Sequence, residues 1–161
     1  MKLRTIGPQD VDVEEEKVDA GNMVTSEQRE RYAEIVDKYI MGEPVEKKVM
    51  IRKMEVILRF PNIYTTNTIF RNVAKASNDG YVNMQVESSS SMLAAYVRSY
   101  NGHDFEKELG ESFATVEGKS KVREYLDNVL IEPVRDIITD KVFEFIDEVK
   151  KAFSDESLDF S

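Results

Sequence analysis

Cysteine and tryptophan are absent from this sequence, and histidine occurs once, at His103. Without cysteine the chain has no disulfide framework, no thiolate metal site and no cysteine nucleophile. A Ser-His-Asp triad would depend on His103 alone, and most zinc sites need more than one imidazole. His103 stands between Asn101-Gly102 and Asp104, where a loop or helix-capping position is the simpler interpretation. We therefore predict a protein that is not an enzyme and uses no cofactor or metal.

Long apolar runs are also missing. No stretch approaches the ~18 uncharged apolar residues of a membrane span. The first residues, MKLRTIGP, lack the apolar core of a secretory signal. We expect no membrane association and a cytoplasmic location.

Two short motifs that suggest ligand binding fail at decisive positions. Gly118-Lys119-Ser120 looks like the end of a phosphate-binding loop, but the glycine required five positions earlier is Phe113. A helix-capping turn is the simpler prediction there. Asp10-x-Asp12-x-Glu14 begins like a calcium loop, yet Glu15 stands where glycine is needed and Gly21 where glutamate is needed. A solvated acidic arm explains this segment better.

Hydrophobic periodicity predicts a helix-dominated chain. The strongest signal covers Ser26–Met41, where Thr25 and Gln28 form a capping-box pattern. Further helices are predicted over Thr66–Ser77, Met92–Tyr100, Asp104–Val116 and, from a cap at Ser120, through the C-terminal region to Phe153. Pro133 should kink or break this last stretch.

Two segments are harder to assign. Residues 44–60 fit a helical face, but Met54, Val56, Leu58 and Phe60 also alternate as in a strand. We favour a helix because the segment is long and rich in lysine and methionine. Tyr81–Glu87 is the best strand candidate, and Ser88–Ser91 is predicted to be a linker.

These patterns predict a mostly α, helix-dominated single domain of five to six helices, with a small β element admitted near 54–60 and 81–87. Residues 25–153 form this domain. Residues 1–24 are expected to be a flexible acidic arm, and residues 154–161 an acidic tail, because both bury too little apolar surface to offset their ordering entropy. An alternative for the arm is addition as an edge strand to another chain.

Charge is unevenly distributed along the chain. Residues 47–100 carry eight Lys/Arg against three Asp/Glu, whereas both flanking segments are acidic and the whole chain has a net charge of −9. A basic middle could bind nucleic acid, and the acidic last helix could mimic it. The candidate nucleic-acid contacts are Lys47, Lys48, Arg52, Lys53, Arg71, Lys75 and Arg98.

The last helix carries a second candidate surface. An acidic residue recurs every four positions, at Glu132, Asp136, Asp140, Glu144 and Glu148. Phe143 falls on this acidic side, next to Asp140, Glu144 and Asp147. Burial of the helix on two sides is the favoured explanation. The alternative is an exposed aromatic anchor with a charged rim. The predicted tail likewise combines acidic residues with two apolar side chains, Leu158 and Phe160.

The leading functional prediction is a non-enzymatic protein–protein interaction or assembly protein: an adaptor, a scaffold or a structural subunit, a layout that viral assembly subunits share. The partner is a protein, and a second copy of the chain is one candidate. The candidate contacts are Phe143, Asp140, Glu144, Asp147, Leu158 and Phe160. The alternative function is a nucleic-acid-binding or nucleic-acid-mimicking regulatory protein.

Overall fold

The computed structural model describes residues 24–78 and 80–154. Within them it contains six α-helices and a four-stranded antiparallel sheet, which confirms the predicted helix-dominated single domain. The predicted arm and tail, including Leu158 and Phe160, lie outside these residues apart from Val24 and Ser154. The helices are α1 Ser26–Ile40, α2 Ile63–Ala76, α3 Tyr81–Tyr96, α4 Phe105–Leu109, α5 Val116–Val129 and α6 Glu132–Ala152. The strands are β1 Glu46–Ile51, β2 Met54–Arg59, β3 Val97–Tyr100 and β4 His103–Asp104.

Helix α1 begins at the predicted capping box. The Thr25 hydroxyl accepts the Gln28 amide at 3.1 Å, and the Gln28 side chain accepts the Thr25 amide at 2.9 Å. Two backbone donors at the helix start are thus satisfied reciprocally. Tyr32 and Ile35 are buried, and α1 packs against α6.

Residues 44–60 contain a β-hairpin, so the helix that we favoured there is wrong. Strands β1 and β2 pair antiparallel with Val49 opposite Val56, and both side chains are buried together with Leu58. The β element admitted near 54–60 is therefore present as β2. The two-residue turn Arg52-Lys53 contains neither glycine nor asparagine, which are the residues that usually identify such a turn in a sequence.

The hairpin turn is strained at Arg52, whose φ is +56°. Arg52→Gly is expected to raise the free energy of unfolding by about 0.5–1 kcal/mol, since glycine adopts positive φ without a Cβ penalty. Lys53 has no positive φ, so Lys53→Gly is the matched control and should lower stability by about 0.5–1 kcal/mol through backbone entropy. Urea unfolding of both variants measures the difference, and equal effects of the two changes would contradict the role given to Arg52.

Residues 81–96 form α3, so the strand predicted at 81–87 is wrong, and Ser88–Ser91 lie inside a helix and not in a linker. Ser90 is buried and donates to Asp127 at 2.9 Å. Helix α3 packs against both α2 and α5. Such tertiary packing overrides the weak strand preference of an alternating segment.

The helix predicted over Met92–Tyr100 ends at Tyr96, and the chain continues directly into β3. Asn101 and Gly102, with φ of +48° and +90°, form the turn between β3 and β4. Asn-Gly is a strong signal for a two-residue hairpin turn. The sequence contains this signal, and a helix end was the wrong interpretation of it.

The predicted helix over Asp104–Val116 is a short helix, α4, followed by the 3-10 turn Gly110–Ala114. Thr115, and not Ser120, caps α5, because its hydroxyl accepts an amide of the first turn at 3.0 Å. Pro133 lies in the first turn of α6, where its missing amide costs nothing. The predicted break at this proline is therefore confirmed.

The core lies between the sheet and the helices. The sheet has the order β1-β2-β3-β4. Phe60, which follows β2, makes edge-to-face contacts with Tyr96 of α3 at 5.6 Å and with the fully buried Phe145 of α6 at 5.9 Å. Among the helices in residues 24–78 and 80–154, none has the length and apolar character needed to cross a membrane.

Candidate partner-binding surfaces

The outward side of α6 carries the aromatic ring that the sequence places among acids. Phe143 is 53% exposed, so the favoured explanation, burial of this helix on two sides, is wrong. The buried side is formed by Ile138, Val142, Phe145 and Val149. We call the outward surface the acidic face of α6; it consists of Asp136, Asp140, Phe143, Glu144 and Asp147.

The carboxylates of the acidic face differ in how far they are neutralised. Glu144 and Asp147 each pair with a lysine of the same helix, at 3.2 and 3.0 Å. Asp136 and Asp140 form no ion pair with any residue that the structure describes. The uncompensated negative charge beside Phe143 therefore comes from Asp136 and Asp140.

Glu148, the last member of the predicted acidic series, has a structural role. Its carboxylate accepts from Arg31 of α1 at 3.2 Å and from Lys47 of β1 at 3.1 Å. Only 20% of its side chain is exposed. Glu148 therefore joins three elements and does not belong to the outward surface.

The seven basic residues predicted to contact nucleic acid come from the β1-β2 hairpin, from β3 and from α2. Lys47, Lys48 and Arg98 are in ion pairs with carboxylates of the sheet and of α6. Arg52-Lys53 form the hairpin turn, and Arg71 and Lys75 lie on α2. Nucleic-acid binding stays a prediction, with fewer free cations than the sequence suggested.

Arg98 lies at a β-bulge. Ile57 and Leu58 of β2 face Ser99 and Val97, so Arg98 has no cross-strand partner. A bulge turns a side chain away from the regular alternation. It places the Arg98 guanidinium in a half-buried charge cluster whose other members are Glu46, Arg59, Asp104 and Glu106.

The charge cluster is largely neutralised from within. Arg98 is 3.0 Å from Glu46 and 3.1 Å from Asp104. Arg59 donates to both oxygens of Glu106, at 2.6 and 2.9 Å, and this hydrogen bonding holds the pKa of Glu106 below its ordinary value. A compensated, hydrogen-bonded network of this kind supports the sheet. No pattern in the sequence indicates it, because its members come from four separate segments.

A second exposed surface lies on α2. Phe70 is 67% exposed, and Ile63, seven residues earlier on the same side, is 78% exposed. Arg71 and Lys75 are exposed and form no ion pair with a carboxylate in residues 24–78 or 80–154. We call the surface formed by Ile63, Phe70, Arg71 and Lys75 the basic face of α2.

A small cleft of about 60 Å³ lies between α2, α3 and α5. The Lys119 ammonium stands 3.6 Å from the centre of the Phe113 ring and has no carboxylate partner within 4 Å in the described part of the chain. Burial, reinforced by repulsion from Arg59 and opposed by Glu106, lowers the pKa of Lys119 to about 8. The polar residues that line the cleft are Tyr64, Thr65, Thr68, Asn72, Ser91, Lys119, Ser120 and Arg123.

His103 occupies an exposed position in β4. Its Nδ1 lies 3.0 Å from a carboxylate oxygen of Glu108, and its ring packs at 4.8 Å on Tyr125. No group of three or more potential metal ligands occurs among the described residues. The calcium-like segment Asp10-x-Asp12-x-Glu14 lies outside them.

Comparison with protein-family models, with curated proteins and with solved structures gave no match.

Proposed function

We propose that the chain is a non-enzymatic protein–protein interaction or assembly protein that acts in the cytoplasm as an adaptor, scaffold or structural subunit. The observation that carries the proposal is the exposure of Phe143 on the acidic face of α6. In this proposal Phe143 is the anchor of the interface, and Asp136 and Asp140 form its charged rim.

An exposed phenylalanine on a well-packed helix suits an interface. Aromatic side chains dominate binding energy when a partner buries them, and their neighbours mainly exclude water. Carboxylates around such an anchor select partners with basic residues around an apolar pocket. The buried side of α6 packs on the fold without Phe143, so residues 24–78 and 80–154 leave about half of the ring accessible to another chain.

Phe143→Ala is expected to change the free energy of unfolding by less than about 1 kcal/mol, because the ring is half exposed. The same change should weaken partner binding by more than about tenfold, as for a central aromatic anchor. Urea unfolding measures the first effect. The second effect is measured by photo-crosslinking to the partner from a benzophenone side chain at position 143, in cells that express the protein. Unlabelled wild type or unlabelled Phe143→Ala is then added as a competitor for that partner.

Tyr39 provides the matched control, since it is an aromatic residue on α1 that is 67% exposed, at least as much as Phe143. It packs on Phe153 at the far end of α6. Tyr39→Ala should compete for the partner as well as wild type does. If Phe143→Ala costs several kcal/mol of stability and competes unchanged, the ring is a packing residue and the proposal is wrong.

A further inference from the structure

We infer that the acidic face of α6 on one copy of the chain binds the basic face of α2 on a second copy. The inference rests on the proposed function and names its partner. Both surfaces are the outward sides of regular helices. Each combines an exposed phenylalanine with two charges that have no ion-pair partner among residues 24–78 and 80–154.

The charges on the two faces have the same spacing. Asp136 and Asp140 are four residues apart on α6, and Arg71 and Lys75 are four residues apart on α2. Four residues advance a helix by about 6 Å, so two adjacent ion pairs can form along one helix–helix contact. The apolar components also match, since Phe143 adjoins the acids and Phe70 directly precedes the first base.

The two faces are complementary to each other and not to themselves. A contact of either face with its own copy would place acid against acid or base against base, and like charges brought together cost affinity. Each link therefore joins one acidic face to one basic face. Such links form a two-fold dimer when both faces of each copy meet the same partner, and otherwise close into a larger ring or extend into a chain of subunits.

This contact is expected to depend on salt. Raising the ionic strength from about 0.01 M to about 0.15 M shortens the Debye length from about 30 Å to about 8 Å. Exposed ion pairs are weakened by this screening, whereas the contact of the two phenylalanines is not. Wild-type chain should therefore form oligomers at low salt and dissociate partly at moderate salt, as measured by light scattering at several protein concentrations.

Charge reversal on either face tests the pairing directly. The acidic-face variant carries Asp136→Lys and Asp140→Lys, and the basic-face variant carries Arg71→Glu and Lys75→Glu. Each should self-associate more than about tenfold more weakly than wild type, because like charges now meet. Both variants should keep the wild-type circular dichroism spectrum and melting temperature within a few degrees, since all four side chains are exposed.

Mixing the two variants provides the decisive result. The acidic-face variant retains an intact basic face, and the basic-face variant retains an intact acidic face. Their mixture should regain association at the wild-type level, because the two intact faces attract each other and the two reversed faces are again of opposite charge. A chain with all four substitutions should regain self-association. A control with Lys107→Glu and Lys121→Glu, which are exposed elsewhere, should associate like wild type at matched salt.

Three results would overturn the inference: a wild-type chain that is monomeric at low salt, two variants that associate as wild type does, or a mixture that stays monomeric although each variant is folded. If wild-type monomers bind random DNA through Arg71 and Lys75, the basic face takes nucleic acid and not a second copy. Crosslinks from position 143 to a different protein would then leave the proposed function intact, whereas no crosslink at all would remove both.

Discussion

Gly118→Ala is expected to lower the free energy of unfolding by about 3 kcal/mol, because the added methyl group has no space. Gly118 lies in the first turn of α5, where the chain passes directly over the preceding 3-10 turn. A Cβ at this position would be 1.8 Å from the carbonyl oxygen of Ser112 and 2.6 Å from its carbonyl carbon. Both atoms belong to the backbone, so a change of rotamer cannot relieve the overlap. Relief requires moving the turn that holds the buried Phe113, and overpacking of this kind typically costs about 1–3 kcal/mol or more.

The sign of this effect distinguishes close packing from helix propensity. In an exposed helix, replacing glycine by alanine stabilises by about 1 kcal/mol. The opposite result is expected here, and urea unfolding of the two proteins measures it. Glu117→Ala, one residue earlier and exposed, is the control and should change stability by less than about 0.5 kcal/mol. Ser112→Gly should not rescue the variant, since the clashing atoms remain. A neutral or stabilising Gly118→Ala would refute the packing role.

The sequence predicted those elements whose boundaries depend on local chemistry. Thr25 and Gln28 placed the start of α1, and Pro133 placed the break before α6. The hairpin β1-β2 was missed because its turn uses Arg52 in a left-handed conformation, which no turn propensity predicts. The first half of helix α3 was missed because its alternating pattern predicted a strand, whereas in the fold this helix packs against α2 and α5, and local alternation does not reveal such packing.

The candidate surfaces were only partly predictable for a related reason. The periodicity of α6 placed Phe143 among acids, but whether another element covers that side depends on tertiary packing, so burial was favoured wrongly. Phe70 adjoins Ile69 on α2, and only the direction of the helix in the fold shows that the former is exposed and the latter buried. The four-residue spacing of Arg71 and Lys75 was visible in the sequence, as was that of Asp136 and Asp140. The equal spacing indicates a contact only if both pairs are exposed, and exposure is a property of the fold.

Gly118-Lys119-Ser120 shows how a familiar motif can have a structural origin. Its glycine permits the close passage over Ser112, and its serine lies within α5 and does not cap it. Its lysine is turned into the cleft between α2, α3 and α5. Burial in this cleft disfavours the charged form of Lys119, so removing the charge is expected to have a large effect on the free energy of unfolding.

Lys119→Met is expected to raise the free energy of unfolding at pH 7 by about 2 kcal/mol. Burial first, and repulsion from Arg59 second, lower the pKa of Lys119 from 10.5 to about 8. A shift of this size corresponds to roughly 3 kcal/mol of cost for keeping the ammonium charged in the folded state. Contact with the Phe113 ring at 3.6 Å offsets part of that cost. Methionine has a similar length and packs well on an aromatic ring, so it removes the charge and keeps the contact.

The pH dependence separates this cost from a packing effect. Between pH 8 and 10.5 the unfolded chain still binds a proton at Lys119 that the folded chain has released. The lysine contribution to the free energy of unfolding therefore rises with pH across this window, and its full cost is present below pH 8. The advantage of Lys119→Met should thus be largest at pH 7 and shrink towards pH 10.5, as measured by urea unfolding at half-unit steps. Lys121→Met, on the exposed side of the same helix, should show no such trend. An advantage that stays constant from pH 7 to 10.5 would assign the effect to the shape of methionine and contradict the titration of a buried Lys119.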